Sequence, residues 1–320
     1  MINKLLIYTS ENYDPYENLA KEKLLFDSVK ADEMLLYLWQ NQNTVVIGKN
    51  QNAYAECDAV LLKKDGINLA RRLSGGGAVF HDLGNLNFTF ISSSENQSIE
   101  NNLKIIAHAC KMSGIETEVS GRNDILANGR KFSGNAFYNS KGKSYHHGTI
   151  LINADEDKIS RYLTPSKAKL KAKGVKSVRS RIINLSEINP DISCDIMKEK
   201  LAKAFEEFYK LKPETITSLN ENEIKKLSEE YKDEQYLFGT QPPFDIEFSD
   251  RFEWGSIDIR LSVGNGMIKT ASVFTDSMDF ELSDRVASAL EGCIFQKDAI
   301  KNVLSGNEAD DIISLFEKNI

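Results

Sequence analysis

The most informative stretch of the chain is a run of three glycines, at positions 75–77, with charged residues on either side. Arg71 and Arg72 precede the glycines, and His81 follows them. Glycine leaves the backbone without side-chain cover and lets it approach a ligand closely. Arginine offers forked donors that match carboxylate and phosphate oxygens, and bare backbone N–H groups add an anion cradle. The pattern predicts an anion-binding site rather than a plain glycine hairpin.

This glycine run differs from the two common phosphate-binding loops. A P-loop requires a Lys-Ser or Lys-Thr pair after its glycines, and no such pair follows this run. Its spacing is not the G-x-G-x-x-G of dinucleotide-binding folds. Strand-like segments flank the run, at residues 67–70 and 85–90. A nucleotide bound here would therefore be held by a different fold.

A second candidate for chemistry is Lys131, which lies in the run Arg130-Lys131-Phe132-Ser133-Gly134. Most lysines are solvated surface groups, but this one is surrounded by residues typical of a binding strand. Strand alternation predicts that residues 131, 133 and 135 share one face. A cation held on that face is suited to stabilising negative charge in a water-poor site.

The composition is that of an ordinary globular protein, with 41% hydrophobic and 27% charged residues among 320. The net charge of −7 argues against general nucleic-acid binding. No apolar run approaches the roughly 20 residues that span a bilayer, and the apolar stretch at the N-terminus is too short for a signal peptide. The four cysteines form no C-x-x-C pair, which argues against a disulfide or zinc framework. We expect a cytoplasmic protein without a membrane partner.

Hydrophobic periodicity and turn signals predict the helices and strands on which these residues lie. Asp14-Pro15 opens a helix, and residues 34–39 and 44–48 read as a hairpin joined by four polar residues. A helix is predicted at residues 99–112. Short strands alternate with turns after it, at residues 116–120, 124–126, 131–138 and 145–152.

Helices dominate the next part of the chain, with predictions at residues 195–209 and 221–231. Pro242-Pro243 suits a linker. Two strands and then three helices follow, at residues 252–262, 267–274, 283–290, 296–304 and 308–317. We therefore predict domains at residues 1–240 and 248–320, with a linker at residues 241–247.

The glycine run resembles a known family once its neighbours are included. Arg-Arg-x-Ser-Gly-Gly-Gly-Ala-Val-Phe-His-Asp-x-Gly-Asn, beginning at Arg71, is similar to the signature of lipoate–protein ligases, members of the biotin/lipoate ligase superfamily. Further stretches match in order, at residues 38–58, 121–136, 146–149, 173–181, 252–255 and 273–277. The resemblance covers nearly the whole chain. It implies an α+β fold, with a catalytic domain of mixed β-sheets and flanking helices and a small α+β C-terminal accessory domain.

The resemblance also implies roles for individual residues. Lys131 is the expected catalytic residue, contacting both the lipoate carboxyl group and the α-phosphate of ATP. The expected ATP contacts are Arg72, Gly77, Ala78, Val79, Phe80 and Lys131. The expected lipoate contacts are Trp39, Arg72, Ser74, Val79, His81, Lys131, His147 and Gly148. Asn123 and Asp124 are a Mg²⁺ site, a turn, or both.

Two further expectations concern an acyl-adenylate intermediate and its reaction with an amine. Lys173, Gly174, Val175, Ser177 and Val178 match a mobile loop that covers the adenylate and excludes water. Taken alone, the basic run around that loop suggests a solvated helix face or a weak nucleic-acid patch. His81 is a hypothetical base for the attacking amine.

The implied activity is ATP-dependent, with Mg²⁺ and lipoate, and forms lipoyl-AMP before transferring the acyl group to a lysine. The implied acceptors are lipoyl domains of 2-oxoacid dehydrogenase E2 subunits and the glycine-cleavage H protein. Three alternatives remain: an octanoyl or lipoyl transferase acting through a cysteine or directly from a carrier, a non-catalytic lipoate-binding protein, and, less favoured by the glycine motif, a biotin ligase. An acyl-cysteine mechanism needs an activated thiolate, and Cys57 is the cysteine nearest to a matched motif.

Overall fold

The computed structural model describes residues 2–120, 124–163, 181–240 and 242–320. Asn123 and the predicted adenylate loop, with Lys173, Gly174, Val175, Ser177 and Val178, lie outside the described residues. Among the described helices, none is long and apolar enough to cross a bilayer.

The strands carry the core of the molecule and divide among three sheets. In chain order they are β1 (Lys4–Thr9), β2 (Glu33–Trp39), β3 (Thr44–Ile47), β4 (Asn68–Arg71), β5 (Val79–His81), β6 (Asn85–Ser93), β7 (Glu118–Ser120), β8 (Asp124–Ala127), β9 (Arg130–Ser140), β10 (Lys143–Leu151), β11 (Glu214–Thr215), β12 (Ile246–Phe252), β13 (Gly255–Gly264) and β14 (Met267–Thr275). The main sheet has the order β11-β1-β2-β6-β10-β9-β8-β7, with β1 parallel to both its neighbours and the other pairs antiparallel.

The helices cover both faces of the main sheet. They are α1 (Pro15–Ser28), α2 (Ala53–Glu56), α3 (Ala59–Asp65), α4 (Ile99–Lys111), α5 (Glu156–Tyr162), α6 (Cys194–Tyr209), α7 (Glu221–Lys232), α8 (Glu234–Phe238), α9 (Leu282–Leu290), α10 (Lys297–Val303) and α11 (Ala309–Asn319). Helices α4 and α6 pack against Phe88 and Phe90 on one face. Helix α1 and the small sheet β4-β3-β5 cover the other. The mixed sheets with flanking helices confirm the predicted fold class.

The predicted hairpin at residues 34–48 is wrong. Strand β2 pairs with β1 and β6 in the main sheet, whereas β3 pairs with β4 and β5 in the small one. The polar segment between them does not form a hairpin turn and instead bonds to residues distant in the chain. Gln40 Nε2 donates to the Leu83 carbonyl at 2.8 Å, and Asn41 Nδ2 lies 3.2 Å from His81 Nδ1. These long-range bonds carry the chain from one sheet to the other.

The C-terminal part of the chain has its own core, built from β12-β13-β14 and helices α9 to α11. The strands precede the helices, as predicted, although β12 was missed and begins at Ile246. Strands β13 and β14 are joined through Asn265 and Gly266, both with positive φ, at the predicted turn. We call residues 246–320 the accessory domain.

Candidate active site

A cavity of about 800 Å³ lies where the main sheet, the small sheet and the accessory domain meet. Its lining includes many of the predicted site residues: Trp39, Arg72, Gly77, Ala78, Val79, Phe80, His81, Asp124, Lys131, His147 and Gly148. The accessory domain contributes Arg251, Trp254 and Met278. Residues that are far apart in the sequence therefore converge on one cavity.

A line of residues facing one another across five strands forms the floor of this cavity. Trp39 on β2 lies opposite Asn87 on β6, which lies opposite Thr149 on β10. The N–H of Gly134 on β9 donates to Thr149 Oγ1 at 3.2 Å, and Gly134 lies opposite Asp124 on β8. Residues directly opposite on neighbouring strands share a face of the sheet. We call this line, from Trp39 to Asp124, the floor row.

Lys131 enters the cavity at one end of the floor row because β9 is irregular there. The register between β8 and β9 shifts by one residue, so that Phe132 is the extra residue of a β-bulge. Phe132 packs into the core below the sheet, while the Lys131 side chain lies over Gly134. The predicted face of residues 131, 133 and 135 is therefore wrong, because the bulge moves Lys131 onto the face of Gly134.

The position of the Lys131 amine depends on a neighbouring carboxylate and on the space left by a glycine. The Nζ atom lies 2.6 Å from Asp124 Oδ1. A Cβ added to Gly134 would lie 2.8 Å from that Nζ, so the glycine leaves room for the amine in its present position. About a third of the Lys131 side chain is exposed, which leaves the cation accessible from the cavity.

Arg72 holds the glycine run from behind. Its guanidinium donates to the carbonyl oxygens of Gly75 at 2.7 Å, Gly77 at 2.8 Å and Val46 at 3.2 Å, and to Ser74 Oγ at 3.0 Å. Burial lowers the pKa of Arg72 to about 10, which leaves it charged at neutral pH. Most of its N–H groups hydrogen-bond the loop. A phosphate would therefore be bound by the N–H groups that remain.

Arg71 has a structural role that its position in the motif did not reveal. Its guanidinium donates to the carbonyl oxygens of Lys49 at 2.8 Å and Gln51 at 2.7 Å, and also to that of Leu237. It therefore ties the segment after β3 to helix α8. The expectation that both arginines serve an anion is wrong for Arg71, whose donors are taken by carbonyl groups.

Two of the three glycines face the accessory domain. The N–H of Gly76 donates to the Ser277 carbonyl at 2.9 Å. A Cβ at Gly75 would overlap the same carbonyl oxygen, and Gly76 has a φ of +88°. Bare backbone at these positions permits the close approach of two domains, which the sequence interpretation had assigned to a ligand.

A buried hydrogen-bond chain runs behind the cavity wall. His147 Nδ1 lies 2.9 Å from Glu22 Oε1, and His147 Nε2 lies 2.8 Å from Ser74 Oγ. Thr89 Oγ1 donates to Glu22 Oε1 at 2.7 Å and accepts from Trp39 Nε1 at 3.1 Å. Ser74 is completely buried in this chain, and its hydroxyl holds His147 in place.

Glu22 was missed by sequence reasoning because it lies on helix α1, far from every motif. Its side chain is only 3% exposed. The sequence carries one weak signal for it: Glu22 lies on the face of α1 that also carries apolar residues. A carboxylate on a buried face needs a hydrogen-bonding partner.

His81 lies beside Trp39, with the ring centroids 6.1 Å apart. Burial, followed by the nearby Arg72 and His147, lowers the pKa of His81 to about 3. An imidazole with so low a pKa is a weak proton acceptor at neutral pH. This low pKa makes His81 a poor candidate for the base that accepts a proton from the attacking amine.

The remaining predicted contacts line the cavity in different ways. Val79 and Ala78 present their side chains at the edge of the small sheet, half-buried. Phe80 stacks on Tyr162 at 5.5 Å in the core below that sheet, so its ring packs away from the floor row. A Cβ at Gly148 would lie 2.6 Å from Phe88, so Gly148 lines the cavity with its backbone alone.

No group of three or more histidine, cysteine or carboxylate side chains that could enclose a metal ion occurs among the described residues. Asp124 offers a carboxylate beside the cavity. This donor set fits a Mg²⁺ ion carried chiefly by phosphate oxygens and water, which usually takes one or two protein carboxylates.

Comparison with known proteins gives the same relationship for both domains. The family model described as "Lipoyl protein ligase A/B catalytic domain" matches residues 14–206. The model "Bacterial lipoate protein ligase C-terminus" matches residues 241–319. A lipoate-protein ligase A from Bdellovibrio bacteriovorus is 39% identical over 312 residues, covering 95% of this chain and 92% of the relative.

Solved structures show similar architecture. P. falciparum LipL1, in complex with lipoate, has a TM-score of 0.87 at 33% identity, covering 98% of this chain and 100% of its own. A lipoate-protein ligase A bound with ATP has a TM-score of 0.63 at 28% identity, covering 75% and 99%. A bipartite ligase from Thermoplasma acidophilum, studied with its E2 lipoyl domain, has a TM-score of 0.63 at 28% identity, covering 77% and 100%.

Proposed function

The chain belongs to the lipoate–protein ligase family, and we propose that it activates free lipoate with ATP to lipoyl-AMP and then transfers the lipoyl group to a protein lysine. The observation that carries this proposal is the position of Lys131, whose amine reaches the cavity at one end of the floor row while Trp39 lies at the other. A cation at one end and an aromatic wall at the other suit an acid with a long apolar tail.

In the first half-reaction, the carboxylate of lipoate attacks the α-phosphorus of ATP and pyrophosphate leaves. Two anionic groups must come together, and the Lys131 ammonium lowers the repulsion between them. A compact ammonium can serve two oxygens whose positions change during the reaction. Asp124, at 2.6 Å, keeps that ammonium at the end of the floor row.

The nucleotide would lie along the glycine run and β5. Gly77, Ala78, Val79 and Phe80 line the cavity there, and Arg72 fixes their backbone. Asp124 would hold Mg²⁺ together with the phosphates, and the ion would neutralise phosphate charge when bound. The Lys131 amine would then lie between two anions of the substrates, the carboxylate of lipoate and the α-phosphate of ATP.

In the second half-reaction, the acceptor amine attacks the carbonyl carbon of lipoyl-AMP and AMP leaves. Lys131 would donate to the carbonyl oxygen as negative charge develops on it. We propose lipoyl domains of 2-oxoacid dehydrogenase E2 subunits and the glycine-cleavage H protein as acceptors, supported by the relative studied with an E2 lipoyl domain. The cytoplasm is the proposed location, since all four cysteines are free thiols.

A mechanism through an acyl-cysteine finds no support at the described site. Burial raises the pKa of Cys57 to about 11, of Cys110 to about 12 and of Cys194 to about 11. Burial also raises the pKa of Cys293. A thiol with a raised pKa is a poor nucleophile, and none of the four lines the cavity in the described part of the chain.

The test is ATP–pyrophosphate exchange that depends on added lipoate, followed by intact mass of apo lipoyl domains and apo H protein. We expect exchange and a mass gain on at least one acceptor. Lys131→Met should abolish exchange, whereas Lys104→Met, on the exposed face of α4, should leave it intact. Transfer without ATP, or exchange that persists in Lys131→Met, would contradict the proposal.

A further inference from the structure

The β- and γ-phosphates of ATP need positive charge that the glycine run does not supply. These two outer phosphates carry most of the charge of the nucleotide, whereas Lys131 serves the lipoate carboxylate and the α-phosphate in the proposed reaction. The N–H groups of Arg71 bond to carbonyl oxygens of the chain, and most of those of Arg72 do so too. The two arginines of the motif are therefore largely occupied.

The described chain adds two further cations to the cavity lining, Arg181 and Arg251. Arg181 precedes the last strands of the catalytic domain's partner, whereas Arg251 lies on β12 of the accessory domain. Among the accessory-domain residues that line the cavity in the described ranges, Arg251 is the only cation. Its side chain is 19% exposed, which leaves the guanidinium accessible from the cavity.

Two neighbours orient the Arg251 guanidinium. Its Nη1 donates to Ser256 Oγ at 2.6 Å and lies 3.5 Å from Asp276 Oδ2. Asp276 is itself held in place, because its Oδ1 accepts from the Ser256 N–H at 2.7 Å. A guanidinium has five N–H groups, and the bond to Ser256 is the one hydrogen bond that this side chain makes within the described residues. Its Nε and Nη2 groups can therefore donate to a ligand.

The guanidinium lies next to the contact between the two domains. Its partner Asp276 directly precedes Ser277, whose carbonyl accepts from the Gly76 N–H at 2.9 Å. The sulfur of the following residue, Met278, would lie 3.3 Å from a Cβ added at Gly76. Asp276 and Met278 both line the cavity. A polyphosphate that lies along the glycine run would therefore have the Arg251 guanidinium on its accessory-domain side.

We infer that Arg251 binds the outer phosphates of ATP and the pyrophosphate formed from them. The inference rests on the proposed function and deepens it. As a carboxylate oxygen of lipoate bonds to the α-phosphorus, the bond from that phosphorus to the bridging oxygen breaks, and pyrophosphate leaves with the electron pair. The guanidinium donates to the oxygens of the leaving pyrophosphate and stabilises the charge that grows on them.

This role separates Arg251 from the residues that bind the rest of the substrates. The outer phosphates are present in ATP and in pyrophosphate, but they are absent from lipoyl-AMP and from the transfer of its acyl group to a lysine. Loss of the guanidinium should therefore affect the reactions of ATP and pyrophosphate and leave acyl transfer unchanged.

The test compares the parent with Arg251→Gln, which removes the charge and keeps a polar side chain. We expect the formation of lipoyl-AMP from lipoate and ATP to fall about a hundredfold. In the reverse reaction, which converts lipoyl-AMP and pyrophosphate into lipoate and ATP, the KM for pyrophosphate should rise about tenfold. Transfer from preformed lipoyl-AMP to an apo lipoyl domain, and the KM for lipoate, should equal those of the parent. A general structural defect would not select the ligands that carry the outer phosphates.

Arg260→Gln is the matched control. Arg260 lies in the same sheet as Arg251, is 18% exposed, and pairs with Glu247 at 2.9 Å and Asp258 at 3.1 Å. It does not line the cavity, so its substitution should leave all these quantities at parent values. Arg251→Lys keeps the positive charge without the fork of the guanidinium, and its KM for pyrophosphate should lie between those of the parent and Arg251→Gln.

The outcomes separate the two proposals. If the parent forms no lipoyl-AMP, the proposed function is refuted. If the parent is active, an unchanged KM for pyrophosphate in Arg251→Gln, an equal rise in Arg260→Gln, or a loss of acyl transfer as large as the loss of adenylation would overturn the role of Arg251 and leave the ligase activity standing. If Arg251→Gln does not fold, Arg251→Lys decides: its KM for pyrophosphate must rise while transfer stays at the parent rate.

Discussion

At the residue scale, the site depends on a buried chain of hydrogen bonds more than on free charges. Glu22 accepts from Thr89 and lies 2.9 Å from His147, which in turn contacts Ser74 and, through it, Arg72. The chain connects helix α1, the main sheet and the glycine run. A change at one member is therefore expected to affect both the cavity wall and the loop.

Glu22→Gln should be destabilising and should impair lipoate activation. Thr89 and His147 both contact Glu22 Oε1, an oxygen that glutamine keeps, but the substitution removes the negative charge that strengthens these bonds and adds an NH₂ group in a site that is 3% exposed. We expect a loss of about 1–3 kcal/mol in the free energy of unfolding, measured by urea denaturation, with a raised KM for lipoate.

The matched control is Glu207→Gln, because Glu207 pairs with His108 at 2.8 Å, close to the 2.9 Å of the buried pair, but lies at the surface. Exposed pairs contribute about 0–1 kcal/mol. Equal effects of the two substitutions would show that burial of the His147–Glu22 pair has no special importance.

Two buried histidines give the protein a defined sensitivity to acid. Burial lowers the pKa of His81 and of His146 to about 3, from an ordinary value of 6.5. Between these values the unfolded chain binds protons that the folded chain does not, so stability falls as pH decreases from 6.5 toward 3. Each histidine should cost about 2 kcal/mol at about pH 5 relative to about pH 7.

Urea denaturation of the parent and of His146→Gln at the two pH values tests this dependence. The variant should lose less stability on acidification than the parent does. His108→Gln, which changes an exposed histidine, should keep the full dependence. Identical pH dependence in all three proteins would rule out His146 as a cause.

At the element scale, a bulge in β9 decides which face of the sheet carries the Lys131 amine. In a regular strand Lys131 would share the face of Ser133, which is completely buried and away from the floor row. The extra residue, Phe132, lies in the core. It reverses the alternation of side chains between the two faces of the sheet for the residues on the Lys131 side of the bulge. Bulges commonly re-aim side chains next to active sites.

Gly134→Ala should separate catalysis from stability. The added methyl group would lie 2.8 Å from Lys131 Nζ, and the flexible end of that side chain would move away. Because a displacement of about 1 Å can cost about a hundredfold in rate, we expect adenylation to fall by roughly that factor while the melting temperature stays unchanged. Pyrophosphate release and calorimetry measure the two effects.

Gly264→Ala provides the control, since a Cβ there would make ordinary contact with Lys269. It should change neither quantity. Normal adenylation by Gly134→Ala would mean that the amine does not need its present position.

At the scale of the whole molecule, the accessory domain closes one side of the cavity through polar contacts of backbone and side chains. Gly76 donates to Ser277, and the Thr275 N–H donates to the Asn50 carbonyl at 2.9 Å. Lys49 forms an ion pair with Asp284 at 2.9 Å. Polar contacts of this kind suit domains that separate and rejoin, which would admit a bulky acceptor protein.

Gly75→Ala should loosen this contact, because the new methyl group would overlap the Ser277 carbonyl oxygen. We expect a larger radius of gyration by small-angle scattering and faster proteolysis near Pro242 and Pro243. Adenylation should weaken, because the accessory domain lines the cavity. Gly264→Ala should match the parent, and a Gly75→Ala protein as compact as the parent would show that the contact tolerates the methyl group.

Features that depend on near neighbours in the chain could be predicted from the sequence. The helix that begins at Pro15 after its Asp14 cap, the turn at Asn265 and Gly266, and the order of strands and helices in the accessory domain all follow from short-range signals. Motif spacing also brought out Lys131 and the glycine run. These features could be predicted because each depends on neighbours within a few residues.

The faces and partners that those residues use depend on packing between distant parts of the chain. The bulge at Phe132, the burial of Glu22 and the diversion of Arg71 onto carbonyl groups depend on strands and helices distant in the chain. So does the approach of Ser277 to Gly75. The physical reason is that burial and hydrogen-bond satisfaction are settled by packing, so the same residue type can bind a ligand, brace a loop or join two domains.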